Sequence, residues 1–180
     1  MKHLKIIFLV LVITFVTMGC TKTPPQEPST QKPETPSAIS SDLQNKDTQI
    51  KIYLIALNDH GKTGKDIGTG DSLVAVDRTI STPQTPLKTA FNELLTLKDQ
   101  YYGNTGLYNA LYHSNLKVDK ATITDKKAEI YLSGSISLGG VMDNPRVENQ
   151  LNETALQFST VKEVQIYING KTLKDALSLK

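Results

Sequence analysis

Five of the chain's eight prolines fall between Pro24 and Pro36, among Ser, Thr, Gln, Lys and Glu. A tract of that composition has no apolar periodicity and cannot bury enough surface to offset the entropy of ordering it. It therefore divides the chain: a folded core must come from residues 48–180, and the residues before the tract serve another purpose. Residues 20–47 read as a disordered, proline-rich stalk with polyproline II character. In that form Thr21 to Lys46 would span at most about 80 Å.

The segment before the stalk has its own pattern. A basic start with Lys2 and Lys5 leads into an apolar run from Ile6 to Val16, followed by Thr17-Met18-Gly19-Cys20. Residues 1–19 fit a secretory signal peptide, and the run is shorter than the ~20 residues a membrane-spanning helix needs. Cys20 is the single cysteine, so no internal disulfide can form. Its place after Gly19 resembles the lipobox of bacterial lipoproteins, although Thr17 and Met18 depart from the usual pattern. In that family the cysteine is lipidated after cleavage just before it. The resemblance implies a lipid anchor at Cys20 and a position on the extracytoplasmic face of the cell membrane.

Charge narrows the choice of partners. The whole chain carries 20 basic and 18 acidic side chains; without Lys2 and Lys5 the basic count is 18, and the remainder is neutral. A nucleic-acid binder needs a basic stripe to neutralise phosphates, and none stands out, so no nucleic acid is expected. With no tryptophan and four phenylalanines, the core must rest on Val, Ile, Leu and Tyr, a set that favours strands.

Within residues 48–180, Ile50, Ile52, Leu54 and Ala56 alternate with Tyr53, Ile55 and Leu57, which suggests a central strand covered on both faces. A polar, glycine-rich loop runs from Asn58 to Gly70, and a second strand from Ser72 to Ile80. Thr85-Pro86 opens a helix, with Leu87, Ala90, Phe91, Leu94 and Leu95 on one face. Asp99 to Ser114 is irregular. Strands then run over Leu116–Thr124 and Lys127–Ser133, with Asp125-Lys126 at the turn. Val147, Leu151, Ala155 and Phe158 share one face of a second helix. Val164, Ile166 and Ile168 mark a last strand, and Leu173, Ala176 and Leu177 a final amphipathic turn. The expected fold is a single α+β domain: one mixed sheet in β-β-α-β-β-α-β order, with two helices packed on one face.

Several stretches, taken in order, resemble the GerM domain of sporulation and spore-germination proteins. They are Ile52-Tyr53-Leu54, Leu73-Val74-Ala75-Val76 with Arg78 and Ile80, Glu93-Leu94-Leu95, Gly106 to Leu111, Ala128-Glu129-Ile130, and Val161 to Lys171. The resemblance implies a non-enzymatic domain that works in envelope or sporulation assemblies through protein contacts. No catalytic residues, metal or cofactor come with it.

His60-Gly61-Lys62-Thr63 resembles the end of a phosphate loop, but Ala56 stands where the first glycine belongs and a strand follows instead of a helix. Asp59, Asp66 and Asp71 lack the spacing of a calcium loop. His60 and His113 have no zinc or nucleophile motif around them. Arg78, beside Asp77, is either an exposed ion pair or a fixed polar contact at the strand end. Tyr101, Tyr102, Tyr108 and Tyr112 either cap the core or form a partner-binding surface, since tyrosine is enriched in interface hot spots. A second functional reading uses the same tyrosines to bind peptidoglycan or a small solute.

Overall fold

The computed structural model describes residues 47–81 and 85–178. The expected signal peptide (1–19), Cys20, the stalk as far as Lys46, and Pro83 lie outside the described residues. β1 (Thr48–Ala56) begins where the alternation begins. Within the following loop a two-residue strand, β2 (Lys65–Asp66), interrupts the glycines. β3 (Ser72–Ile80) pairs antiparallel with β1 from Thr48 opposite Ile80 to Ala56 opposite Ser72, and β2 covers only Leu73 and Ser72.

α1 (Pro86–Leu95) buries Leu87, Ala90, Phe91, Leu94 and Leu95, the face its spacing predicts. Thr85 precedes it without a side-chain cap, and Pro86 supplies a preset first turn. β4 (Asn115–Thr124) and β5 (Lys127–Ser135) form a hairpin. Asp125 and Lys126 both take positive φ, 49° and 66°, which matches the right-handed strand twist. Gly134, at φ 116°, lies so close to β4 that an added Cβ would sit 2.0 Å from the Asn115 carbonyl oxygen. α2 (Asp143–Leu156) crosses over to β6 (Glu163–Ile168), which joins β5 in parallel. β7 (Lys171–Thr172) and α3 (Leu173–Ser178) complete the described chain, with Leu173, Ala176 and Leu177 buried.

The α+β class and the order of the long elements follow the expectation. Two features differ. The strands form two sheets, β1-β3-β2 and β4-β5-β6-β7, instead of one. β1 is also not a central strand. Its outer edge is closed by other groups, Tyr108 at Ile55 and the side chains of Gln150 and Gln157, so no strand of the second sheet can join there. α1 touches both β1 and β4, and α2 touches both β1 and β6. One cluster therefore contains Ile52 and Leu54, Phe91 and Leu94, Val147 and Leu151, and Ile130 and Ile166. Truncating a fully buried residue of this set such as Phe91 costs about 3–5 kcal/mol.

Candidate functional site

The irregular stretch after α1 folds as a small antiparallel loop laid along β1. Positive-φ Gly103 and Gly106 turn the chain. Tyr102 N–H then donates to the Leu107 carbonyl (2.9 Å), and Asn109 N–H to that of Gln100 (2.9 Å). Tyr108 and Ile55 exchange backbone hydrogen bonds of 2.7 and 2.8 Å. Gln150 of α2 fixes the next residues: its Oε1 accepts from Ala110 N–H (2.9 Å), and its Nε2 donates to the Tyr53 carbonyl (2.7 Å).

This arrangement separates the four tyrosines by environment. Tyr108 is buried, Tyr102 and Tyr112 are half-buried against the core, and Tyr101 is 46% exposed. Tyr108 links Tyr101 and Tyr112 by edge-on ring contacts at 6.0 and 5.9 Å, and Tyr112 lies against His113. Tyr102 turns elsewhere: its hydroxyl accepts from Arg78 Nη1 at 3.1 Å.

Behind Tyr108 lies a connected polar network. Arg146, in the first turns of α2, donates from Nε to Asp71 Oδ2 (2.7 Å) and from Nη1 to Asp143 Oδ1 (3.1 Å). Its guanidinium stands 5.5 Å from the Tyr108 ring centroid. Asp143 Oδ2 accepts from the Tyr108 hydroxyl (2.9 Å) and from Gly139 N–H (2.7 Å). An added Cβ at Gly139 would meet that carboxylate oxygen at 2.9 Å, so the close approach needs glycine. Asp71, 1% exposed, also accepts from Asn58 N–H (2.9 Å) and Thr69 Oγ1 (3.1 Å).

The ionisation states follow from these contacts. Burial pushes the Asp71 carboxyl up, but the Asn58 N–H and the Arg146 guanidinium outweigh it and hold the pKa below the ordinary value. For Tyr108 burial and the neighbouring Asp143 act together and raise the phenol far above its usual range. Burial lowers the Arg146 pKa, and the hydrogen bonds it donates to both aspartates more than restore it. These contacts favour the charged forms of Asp71 and Arg146 and the neutral phenol of Tyr108.

Arg78 forms a second, more exposed clasp. Its Nη2 and Nε reach Glu93 Oε2 of α1 at 2.8 and 3.2 Å. Asp77, its sequence neighbour, pairs instead with Lys51 across the β1–β3 ladder. In the loop before β3, Asp59 accepts from Ser72 Oγ (2.6 Å) and Thr63 N–H (2.7 Å), and Asp66 from Gly68 N–H (2.7 Å). These aspartates serve as local caps, and Asp71 faces Arg146. Among the described residues no group of three metal-binding side chains converges. β2 follows the His60–Thr63 stretch, so no helix N-terminus is there to hold a phosphate.

Sequence reasoning missed Arg146, Asp143, Gln150 and Asn109. One signal was available: only Arg78 and Arg146 are arginines among 20 basic residues. Arginine's rigid, always-charged fork suits buried pairing with carboxylates better than lysine does. Three cavities of about 260, 300 and 340 Å³ open at the β5–β6 ends, the loop before α2 and the start of α1.

Comparison with known proteins places this architecture. No curated protein matches the chain in sequence at a significant level. The tandem GerMN domains of the sporulation protein GerM from Bacillus subtilis superpose with a TM-score of 0.52 at 20% identity, over 76% of this chain. The chain spans only 44% of that two-domain protein. The first GerMN domain of the same protein matches with a TM-score of 0.46 at 21% identity, over 71% of this chain and 86% of that one. The family profile for Germane, described as sporulation and spore germination, matches residues 51–174, nearly the whole described domain, and the chain belongs to that family.

Proposed function

We infer that the protein is a non-enzymatic, lipid-anchored interaction module of the cell envelope that acts in a sporulation or germination assembly. The observation that carries this reading is the family match over residues 51–174. The site geometry supports it: Asp71, Asp143 and Tyr108 are buried, and with the partly buried Arg146 they direct their polar atoms at one another. Such a network keeps a surface in one shape, which lowers the ordering cost of binding a partner. The peptidoglycan or solute reading through the tyrosines has less support, because three of the four rings are wholly or partly buried in internal contacts. Among the described residues no helix is long and apolar enough to cross a membrane, which is compatible with tethering through Cys20.

The test is crosslinking and recovery of the full chain from growing and from sporulating cells, beside a Cys20→Ala variant. The expected result is a defined envelope protein captured in one stage, with the variant released from the membrane fraction and the capture lost. Recovery of wall glycan alone, or turnover of a substrate by the purified chain, would overturn the reading.

A further inference from the structure

An exposed strand edge is a template for pairing with another chain, and folded proteins usually block it. The described residues show three edges blocked by three different devices. Along β1, the Gln157 side chain receives Lys51 N–H (2.7 Å) and donates to the Lys51 carbonyl (2.9 Å). Gln150 takes the Tyr53 carbonyl, and Tyr108 takes both backbone groups of Ile55. β4 carries a register shift between Val118 and Lys120 and outward Lys117 and Lys120. β7, at the far side of that sheet, has only two residues.

Beyond its first two residues β3 has no side-chain clamp and no register shift, and it is nine residues long; its one guard is the exposed charge of Asp77. Its free groups can be identified from the ladder. In an antiparallel pair, alternate residues direct both N–H and C=O to the same neighbour. Lys51, Tyr53 and Ile55 face away from β3, so Ile50, Ile52 and Leu54 bond to it through their partners Arg78, Val76 and Val74. Ala75, Asp77 and Thr79 must then point outward. Among the described residues, nothing pairs with the backbone of these three. The strand is regular here, without bulge or proline, and Val74, Val76 and Ile80 on its helix-facing side remain half-exposed.

We propose that the Val74–Ile80 edge of β3 receives an extended strand from a partner protein, which continues the β1-β3-β2 sheet. The proposal rests on the interaction reading above and names the surface that carries it. The backbone of Ala75, Asp77 and Thr79 supplies the hydrogen bonds, and the half-exposed Val76 and Ile80 gain cover from apolar residues on alternate positions of the incoming strand. Charge selects the occupant. The open stretch is centred on Asp77, whose side chain is 70% exposed. Two-fold pairing with a second copy over that stretch would set Asp77 opposite its own counterpart, and like charges directly opposite destabilise a ladder. A foreign strand with lysine or arginine at its centre meets no such conflict.

The test uses the full chain and an acetylated, amidated nine-residue peptide of alternating valine and threonine with a central lysine, followed by hydrogen exchange. In the free chain the amides of Ala75, Asp77 and Thr79 exchange near the unstructured rate, and with saturating peptide they slow by roughly tenfold or more. Ala75→Pro with Thr79→Pro removes two outward N–H groups, at edge positions where proline is tolerated, and abolishes that protection. Lys51→Asp with Asp77→Lys, which exchanges the exposed pair and so keeps opposite charges across the β1–β3 ladder, shifts preference to the same peptide with a central glutamate. Three results would each overturn the proposal: protection of the three amides in the free chain, protection that rises with protein concentration alone, or no protection by the peptide. Capture of the same envelope partner by the double-proline variant as by the wild type would keep the interaction reading and reject this edge as its carrier.

Discussion

The two arginines occupy opposite conditions in one domain. Arg146, with a side chain 17% exposed, sits between Asp71 and Asp143, which are 2% and 3% exposed. Arg78, 36% exposed, holds Glu93, 29% exposed, and the Tyr102 hydroxyl. Each ties a helix to other parts of the fold: α2 to the pre-β3 loop in one case, β3 to α1 in the other. What differs is how much water remains when a partner is lost. A buried carboxylate without its cation cannot be rescued by solvent, whereas a half-exposed one can. Contact lists that look alike therefore carry unequal weight.

Removal of the deeper arginine gives the largest test. Arg146→Ala should lower unfolding free energy by about 3–5 kcal/mol, because two buried carboxylates lose their cation. Chemical denaturation would measure it, and a loss comparable to that of Arg78→Ala would erase the contrast. Next in size, Asp71→Asn should cost about 2 kcal/mol at neutral pH, the weight of a hydrogen bond to a charged group. It also has a pH signature. The folded pKa of Asp71 lies below its ordinary value of 3.8, so the stability it adds is complete above that value and is lost as pH falls through the lowered pKa. The wild type should thus lose stability more steeply than the variant below about pH 4.

Arg78→Ala should cost about 1 kcal/mol after screening by solvent is allowed for, a fall in melting temperature of roughly 4 °C. A drop as large as that of Arg146→Ala would mean the clasp is part of the core. The smallest effect belongs to Lys51→Ala, which removes an exposed cross-strand pair with Asp77. Its melting curve should overlie that of the wild type, and a clear shift would show that exposure is a poor guide to weight in this domain.

Local pattern was readable where one segment determines its own burial. The α1 face from Leu87 to Leu95 and the limits of β3 came directly from periodicity, and the Asp125-Lys126 turn from the hairpin around it. The division into two sheets was not readable, because it depends on Gln150 and Gln157 reaching strand positions 97 and 106 residues earlier in the chain. No window of sequence contains both ends of such a contact. The tyrosine cluster was visible as a cluster, but its sorting was not. Tyr108 and Tyr102 part company only because Ile55 and Arg78 lie on different sides of the loop. Arg146 escaped for a related reason: Asp143 is near it in sequence, yet the aspartate that makes the pair buried, Asp71, is 75 residues away.

The same long reach sets a timetable for synthesis. β1 and β3 are both complete once Ile80 has been added, but the groups that close the outer edge of β1 arrive with Tyr108, Gln150 and Gln157. At ordinary elongation rates of about 5–20 residues per second, a chain takes roughly 5–20 s to travel from the end of β1 to Gln157. During that interval the strand most thoroughly hidden in the finished domain is bare on the nascent chain. Any factor that holds the growing polypeptide unfolded until its last helix is available would protect this edge first.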